Sequence, residues 1–267
     1  MSEDNDQQCA YFYASRTSFH MVLTMAAKRV RQAKPPRTKK ANPAQDEAIY
    51  ETLLKAIMEG RMKAGSKLAE KPLAEVFGVS RDRVRKALHR LVAERRLEAV
   101  PNRGVRVPKP TLQDIRLVYE AHRIFEAGVL LHLKEHLSDE LFRRLDRNLE
   151  RAREAARTGD RFSSIRLSGE FHIILADAIA NAEISGFLRD LLTRSSIMVS
   201  IFEPMSDSAC GVDEHAAIVR ALRRKDVQGA IKLSQHHFLH VEKRLLANRP
   251  ASKATDVIAE LLSQHSR

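Results

Sequence analysis

The stretch LAEKPLAEVFGVSRDRVRKALHRLVAERRLEAVPNRGVRV, residues 68–107, constrains this chain more than any other. Leu73, Ala74, Val76 and Phe77 are apolar at helical spacing. Gly78 then breaks the helix, Val79 packs the turn, and Ser80 is placed to cap a second helix. From Arg81 onward, Val84, Ala87, Leu88, Leu91 and Val92 form one stripe with a period near 3.6. The opposite side carries Arg81, Arg83, Arg85, Lys86, His89 and Arg90. Two short helices joined by a glycine turn, the second buried on one side and cationic on the other, are what a helix-turn-helix needs to enter a major groove. Leu97–Val100 and Val105–Val107 read as two short strands, with Pro101-Asn102-Arg103-Gly104 as the turn between them. That hairpin makes the motif winged.

The charge is placed to match. Formal net charge is +12, and residues 61–109 alone carry 14 Lys/Arg against 5 Asp/Glu. Residues 28–40 add 7 basic residues and no acid, so the rest of the chain is slightly acidic, at −4. A polyanion partner is therefore expected for the N-terminal half only. With 267 residues there is room for two domains. No apolar run approaches the ~18 residues that span a bilayer, so no membrane partner is expected. Cys9 and Cys210 form no disulfide framework, and a cytoplasmic, nucleoid-associated location is the expectation.

Along the chain, residues 1–44 read as a flexible basic arm. Gln45–Glu59 is amphipathic through Ile49, Leu53, Leu54, Ile57 and Met58, and supplies a third helix behind the motif. Residues 60–68 read as a connector, and Pro108-Lys109-Pro110 as a short stiff linker. Thr111 and Asp114 have capping-box spacing. From there to Leu246 the pattern is helical throughout. Helices are expected over Leu112–Leu137, from Ser138 to about Arg157, and over Phe162–Ala180, Ile184–Phe202, Asp213–Arg224 and Asp226–Ala247, with Glu203–Val212 as a loop. The expected fold is mainly α: an N-terminal winged helix-turn-helix (45–108), then an all-α antiparallel bundle of about six helices (109–249) and a tail (250–267).

The joint spacing of GRMKAGSKL, LAEVFGVSRDRVRKALHRL and PNRGVRV resembles the GntR family of bacterial transcription regulators over residues 45–108. Ala64 stands where the family commonly has Pro, Asp82-Arg83 replaces a small residue and Pro, and Arg95 stands where many members have Gly. The resemblance implies DNA contacts from Lys71, Ser80, Arg81, Arg83 and Arg85, and from Asn102, Arg103 and Gly104 of the wing. The bundle resembles the FCD-type ligand domain of the FadR-like subfamily. The resemblance is carried by Tyr119–Glu126, Glu170-Phe171-His172, Asp213–Ile218 and Gln235–Phe238. It implies a divalent metal held by His172, His215 and His237, with Ser168 in place of the usual carboxylate. Glu170, two residues from His172, belongs to another face. Zn²⁺ or Ni²⁺ suits such a nitrogen set. The alternative is a metal-free polar pocket that binds an organic ligand directly. His122, where the family commonly has an effector-facing arginine, joins Arg123 and Arg194 as candidate effector contacts.

The function expected is that of a sequence-specific transcription regulator, a repressor. Its homodimer would bind a palindromic operator on double-stranded DNA, and a small-molecule effector, an organic acid or related metabolite, would control its affinity. The alternatives are an architectural nucleic-acid-binding protein without effector and a metal-dependent enzyme. Against the enzyme, no nucleophile elbow, phosphate loop or paired acid/base motif stands out in the sequence.

Overall fold

The computed structural model describes residues 43–203 and 210–248. The expected arm, apart from its last two residues, and the expected tail lie outside the described residues, as does most of the loop after Glu203.

Helix α1 (Pro43–Met58) turns Ile49, Tyr50, Leu53, Ala56, Ile57 and Met58 inward. It packs across α3 (Arg81–Ala93), whose Val84, Ala87, Leu88 and Leu91 are buried. Helix α2 (Glu70–Phe77) ends at Gly78, whose φ of 61° is left-handed and whose N–H returns to the carbonyls of Ala74 and Glu75. Glycine adopts that conformation at no steric cost, which makes the turn tight. Ser80 does occupy the N-cap of α3, but its side chain makes no capping hydrogen bond, contrary to expectation.

The wing is present as β2 (Glu98–Val100) and β3 (Gly104–Arg106), antiparallel with Ala99 opposite Val105. The turn closes through Arg103 N–H to Val100 O at 2.9 Å, with Asn102 at φ 58°. Proline followed by a residue of positive φ is the arrangement of a type II turn. The sheet has a further strand, β1 (Lys67–Leu68), which pairs with the other edge of β3. Residues 60–68 read as connector in the sequence because two residues, one exposed and one buried, are too few to display alternation.

The bundle comprises α4 (Leu112–Leu133), α5 (Asp139–Thr158), α6 (Arg161–Asp177), α7 (Ala182–Phe202), α8 (Cys210–Arg223) and α9 (Val227–Ala247). The capping box is made as expected: Thr111 Oγ1 accepts from Asp114 N–H, and the Asp114 carboxylate accepts from Thr111 N–H. Helix α4 stops at Leu133 rather than Leu137. A 3-10 turn, Lys134–His136, follows, and Ser138 then caps α5. Helix α4 lies between α9 and α7, α5 packs on α6 and α8, and α8 packs on α9.

The apolar interior forms two principal clusters. One lies within the bundle and includes Leu130, Leu145, Phe171, Leu175 and Leu188. The other runs from the head into the base of the bundle. It joins Leu53, Ile57, Met58 and Leu91 to Ile115, Val118, Ile197, Met198 and Phe202. The residues read as a stiff linker therefore do not carry the head alone; head and bundle share a core. At its edge Gly60 (φ 69°) presses on the end of α7, where an added Cβ would sit 2.2 Å from the carbonyl oxygen of Ser200.

Gly159 has nearly the same φ, 68°, but open space around a Cβ. Both Gly→Ala changes should incur the left-handed penalty of ~1–2 kcal/mol. Gly60→Ala should lose more, because a backbone oxygen must also move. Thermal melts of the two variants test this: equal losses in Tm would mean that the α1–α7 contact yields freely.

Candidate functional site

The outer face of α3 presents Arg81, Arg85, Lys86 and His89 to solvent. Lys71, in the first turn of α2, is also exposed, as are Asn102, Arg103 and Gly104 at the tip of the wing. These candidates lie together on the head, but their partners differ. Arg81 makes no hydrogen bond or ion pair among the described residues. Arg85 is held by Glu70 in a two-point pair, Nε and Nη2 each at 2.8 Å, with Asp82 on Nη1 at 3.1 Å. Arg83 turns back onto α1, to Gln45 Oε1 at 2.5 Å and Asp46 at 3.5 Å. Arg90 likewise packs over the Tyr50 ring and pairs with Glu47 and Glu94. The reading end of α3 thus offers Arg81 directly, while Arg85 needs Glu70 to release it or share it.

Inside the bundle, His172 of α6, His215 of α8 and His237 of α9 converge. One ligand nitrogen from each lies within 4.8 Å of the others. The convergence has local causes. His215 stacks on Phe171, with centroids 4.1 Å apart and planes at 7°. His172 Nδ1 lies 2.7 Å from a Glu126 oxygen, and Ser234 Oγ donates to the same carboxylate at 2.8 Å. His237 Nδ1 lies 2.7 Å from Glu214, which also takes His240 Nδ1 at 2.6 Å. In both cases Nδ1–H donates to a carboxylate, which leaves the Nε2 lone pair for the centre of the cluster. His215 Nε2 and His237 Nε2 are 3.2 Å apart.

Burial pushes His215 well below the ordinary histidine value. Burial also lowers His237, against the opposing pull of Glu214. Both are thus neutral, the form that binds a cation. Burial opposes ionisation of Glu126, but His172 and the hydrogen bonds it receives outweigh that, and its pKa is lowered. Glu214 is held at about 2; partial burial opposes ionisation, and the hydrogen bonds from His237 and His240 outweigh it. Three converging imidazoles, two of them anchored through Nδ1, fit a divalent metal such as Zn²⁺ or Ni²⁺, leaving further positions for water or ligand.

The cluster opens into a cavity of about 90 Å³ between α4, α6, α7, α8 and α9. Ser168 lines it, one turn before His172, and Glu170 instead pairs with Arg166 on the outside. Tyr119, Ser164, Ser195, Glu203 and Arg244 complete its polar wall. Arg244 pairs with Glu203 at 2.8 Å, yet its Nη1 is buried with no hydrogen-bond partner among the described residues, as is Ser164 Oγ. The three residues expected to meet an effector do not line this cavity. His122 is fully buried, stacked on Phe238 and 3.1 Å from Ser195 Oγ, and burial lowers its pKa to about 3. Arg123 pairs with Glu242 and faces an outer groove between α4 and α9. Arg194 borders a separate hollow beside Pro108-Lys109-Pro110.

Sequence reading assigned no role to Glu126 or Glu214. Glu126 had a visible signal, a carboxylate four residues after His122 on the apolar face of α4, where an unpaired charge is disfavoured.

Two family models match the chain. The one described as "Bacterial regulatory proteins, gntR family" covers residues 45–107, and the FCD domain covers residues 117–240. The chain belongs to the GntR family, with an FCD domain at its C-terminal side. The HTH-type transcriptional regulator YdhC of Bacillus subtilis (strain 168) is 26% identical over 196 residues, which cover 72% of this chain and 87% of YdhC. Among solved structures, a GntR transcriptional regulator from Rhodococcus sp. RHA1 superposes with a TM-score of 0.65 at 22% identity, covering 76% of this chain and 98% of that one. E. coli McbR/YncC gives 0.58 at 20% identity, covering 83% and 98%. These two likenesses establish the fold. This GntR-family chain is accordingly a transcription regulator with an FCD effector-binding domain. Among its described residues no helix is long and apolar enough to cross a membrane.

The anchoring carboxylates generate a prediction. Glu126→Gln and Glu214→Gln should each weaken Zn²⁺ binding by about 10–100-fold, while Ser168→Asp should strengthen it by supplying an anionic ligand. Competition against a chromophoric chelator measures all three. Unchanged affinity in both glutamine variants would show that these carboxylates do not orient the ligands.

Proposed function

We propose that this regulator is a repressor that binds a palindromic operator as a homodimer and leaves it when a small organic acid occupies the FCD cavity. The acid would bind at a divalent metal held by His172, His215 and His237. The observation that carries the reading is the convergence of three imidazoles, two anchored through Nδ1, on a cavity whose lining also holds donors that are unpartnered among the described residues. A metal offers positive charge to a carboxylate. The free Arg244 Nη1 and Ser164 Oγ suit a second acceptor group on the same molecule. Neither feature serves an architectural protein.

The shared core suggests how occupancy would reach the DNA. Glu203 lines the cavity and follows the last turn of α7, whose Ser200 carbonyl meets Gly60 of the head. Arg161 binds the same end of α7, donating to the carbonyls of Val199 and Glu203. A ligand that moves Glu203 or Arg244 would shift α7 against α1, and so reposition α3. That is the differential affinity between two states that allosteric control requires.

Operator fragments selected from random DNA supply the probe. Arg81→Ala should lose about 5–150-fold in operator affinity, the equivalent of one guanine contact of ~1–3 kcal/mol. Unaltered binding by both Arg81→Ala and Arg85→Ala would refute the DNA face. Separately, purified untagged protein should take up one Zn²⁺ or Ni²⁺ per chain and melt at higher temperature with it. His215→Ala should abolish both effects while still binding the operator. Equal metal content in mutant and parent would remove the triad from the reading.

A further inference from the structure

The solvent-facing side of α3 is cationic with one exception. Arg81, Arg85, Lys86, His89 and Arg90 are exposed there, and Asp82 is the single carboxylate in the helix. Its side chain is 78% exposed. Asp82 stands in the first turn, at the end of α3 that also carries Arg81 and Arg85, and positions 81 and 82 both adjoin 85 on a helix surface. Beside DNA such a group is ill placed unless it meets a donor. A carboxylate repels the phosphates, and it repels the acceptor atoms that three of the four bases show the major groove.

The neighbouring side chains hold this carboxylate in position. Asp82 Oδ1 accepts from Arg85 Nη1 at 3.1 Å, and Glu70 accepts from Nε and Nη2 of the same guanidinium at 2.8 Å each. Three of the five N–H donors of Arg85 are thereby engaged, and two remain for another acceptor. Asp82 Oδ2 makes no hydrogen bond among the described residues. An acid in the first turn also suits the positive end of a helix, and Ser80 leaves that end without a side-chain cap. Yet among the described residues Asp82 bonds to no backbone N–H of that turn and reaches Arg85 instead.

We infer that Asp82 reads cytosine in the operator, accepting from the N4 amino group in the major groove beside the guanine that Arg85 reads. Cytosine alone shows that groove a donor without an acceptor. Adenine sets N7 next to its N6 amino group, and guanine and thymine show acceptors at N7, O6 and O4. A carboxylate, which only accepts, therefore selects cytosine against the other three. Arg85 brings donors to the same spot, which suit guanine O6 and N7. The bonded pair thus presents an acceptor beside donors, complementary to a cytosine that is paired with a guanine or adjacent to one. The inference rests on the reading that α3 enters the major groove and names a base preference for it.

Selection from random DNA by the full-length protein tests this. The parent should return sites with a fixed cytosine at one position of each half, at or next to the base pair whose guanine preference Arg85→Ala erases. Asp82→Ala should enrich the rest of the site and accept any base there. Replacing that C·G pair should weaken parent binding by about tenfold or more and leave the variant unaffected. A cytosine analogue without the N4 amino group should do the same. Asp82→Asn should move the preference to adenine, because an amide supplies the donor and acceptor that N7 and N6 require. A role confined to the helix end would leave base preference unaltered in both variants. A parent site without a fixed cytosine, or a cytosine preference retained by Asp82→Ala, overturns the inference. So does loss of all DNA binding by Asp82→Ala, which would make the carboxylate a support of α3. None of these results touches the groove reading. That reading falls, and this inference with it, if Arg81→Ala and Arg85→Ala both bind the parent's sites unaltered.

Discussion

Glu126 is fully buried on the inward face of α4, and much of the sensor domain is arranged around its need for partners. A carboxylate in an apolar interior is tolerated only when hydrogen bonds and a nearby donor replace its lost water. His172 from α6 and Ser234 from α9 supply them, so three helices are fastened at one point. The same bond decides which nitrogen of His172 faces the cavity. Glu214 does the equivalent for His237 from the rim of the site, and Phe171 steers His215 by stacking. The convergence of the three imidazoles is therefore a consequence of how buried polar groups are satisfied.

The second organising feature is the apolar cluster shared by head and bundle. A winged head joined only through Pro108-Lys109-Pro110 would move independently of the effector cavity. With Ile57, Met58 and Leu91 in one cluster with Ile115, Ile197 and Phe202, movement of α7 is felt in the head directly. The close approach of Gly60 to Ser200 marks where the two bodies bear on each other. The pairing of Arg85 with Glu70 has a related consequence. It keeps a cation on the exposed face of α3 compensated by a carboxylate of α2.

Particular residues show what sequence reading can reach. The helix-turn-helix was legible because its stripe, glycine turn and charged face are local and periodic, and Thr111 with Asp114 was legible as a capping box. Strand β1 was not, because two residues carry no alternation. Ser80 sits where expected without capping, since the φ/ψ of an N-cap does not oblige the side chain to close. The histidine positions were readable by resemblance, and Glu126 stood out as a carboxylate on an apolar face; which histidine Glu126 and Glu214 each anchor was not readable, because partners 46 and 23 residues away in the chain leave no spacing signal. His122 was placed at an effector by the resemblance, Arg123 as its neighbour and Arg194 as a further candidate anion partner. The structure ties the first into the core behind Phe238, pairs the second with Glu242, and sets the third beside a different hollow.

By itself, then, the sequence determined the two-part plan, the identity of the reading helix and the three imidazoles. All of these depend on periodicity or on short motifs that act within a few residues. Tertiary structure alone decided which arginines remain free to meet DNA and which nitrogens the histidines present. It also decided which residues wall the cavity and that the head is built onto the bundle. Each of these is fixed by long-range pairing among buried or competing polar groups, where the outcome depends on which partner the fold brings within hydrogen-bond distance.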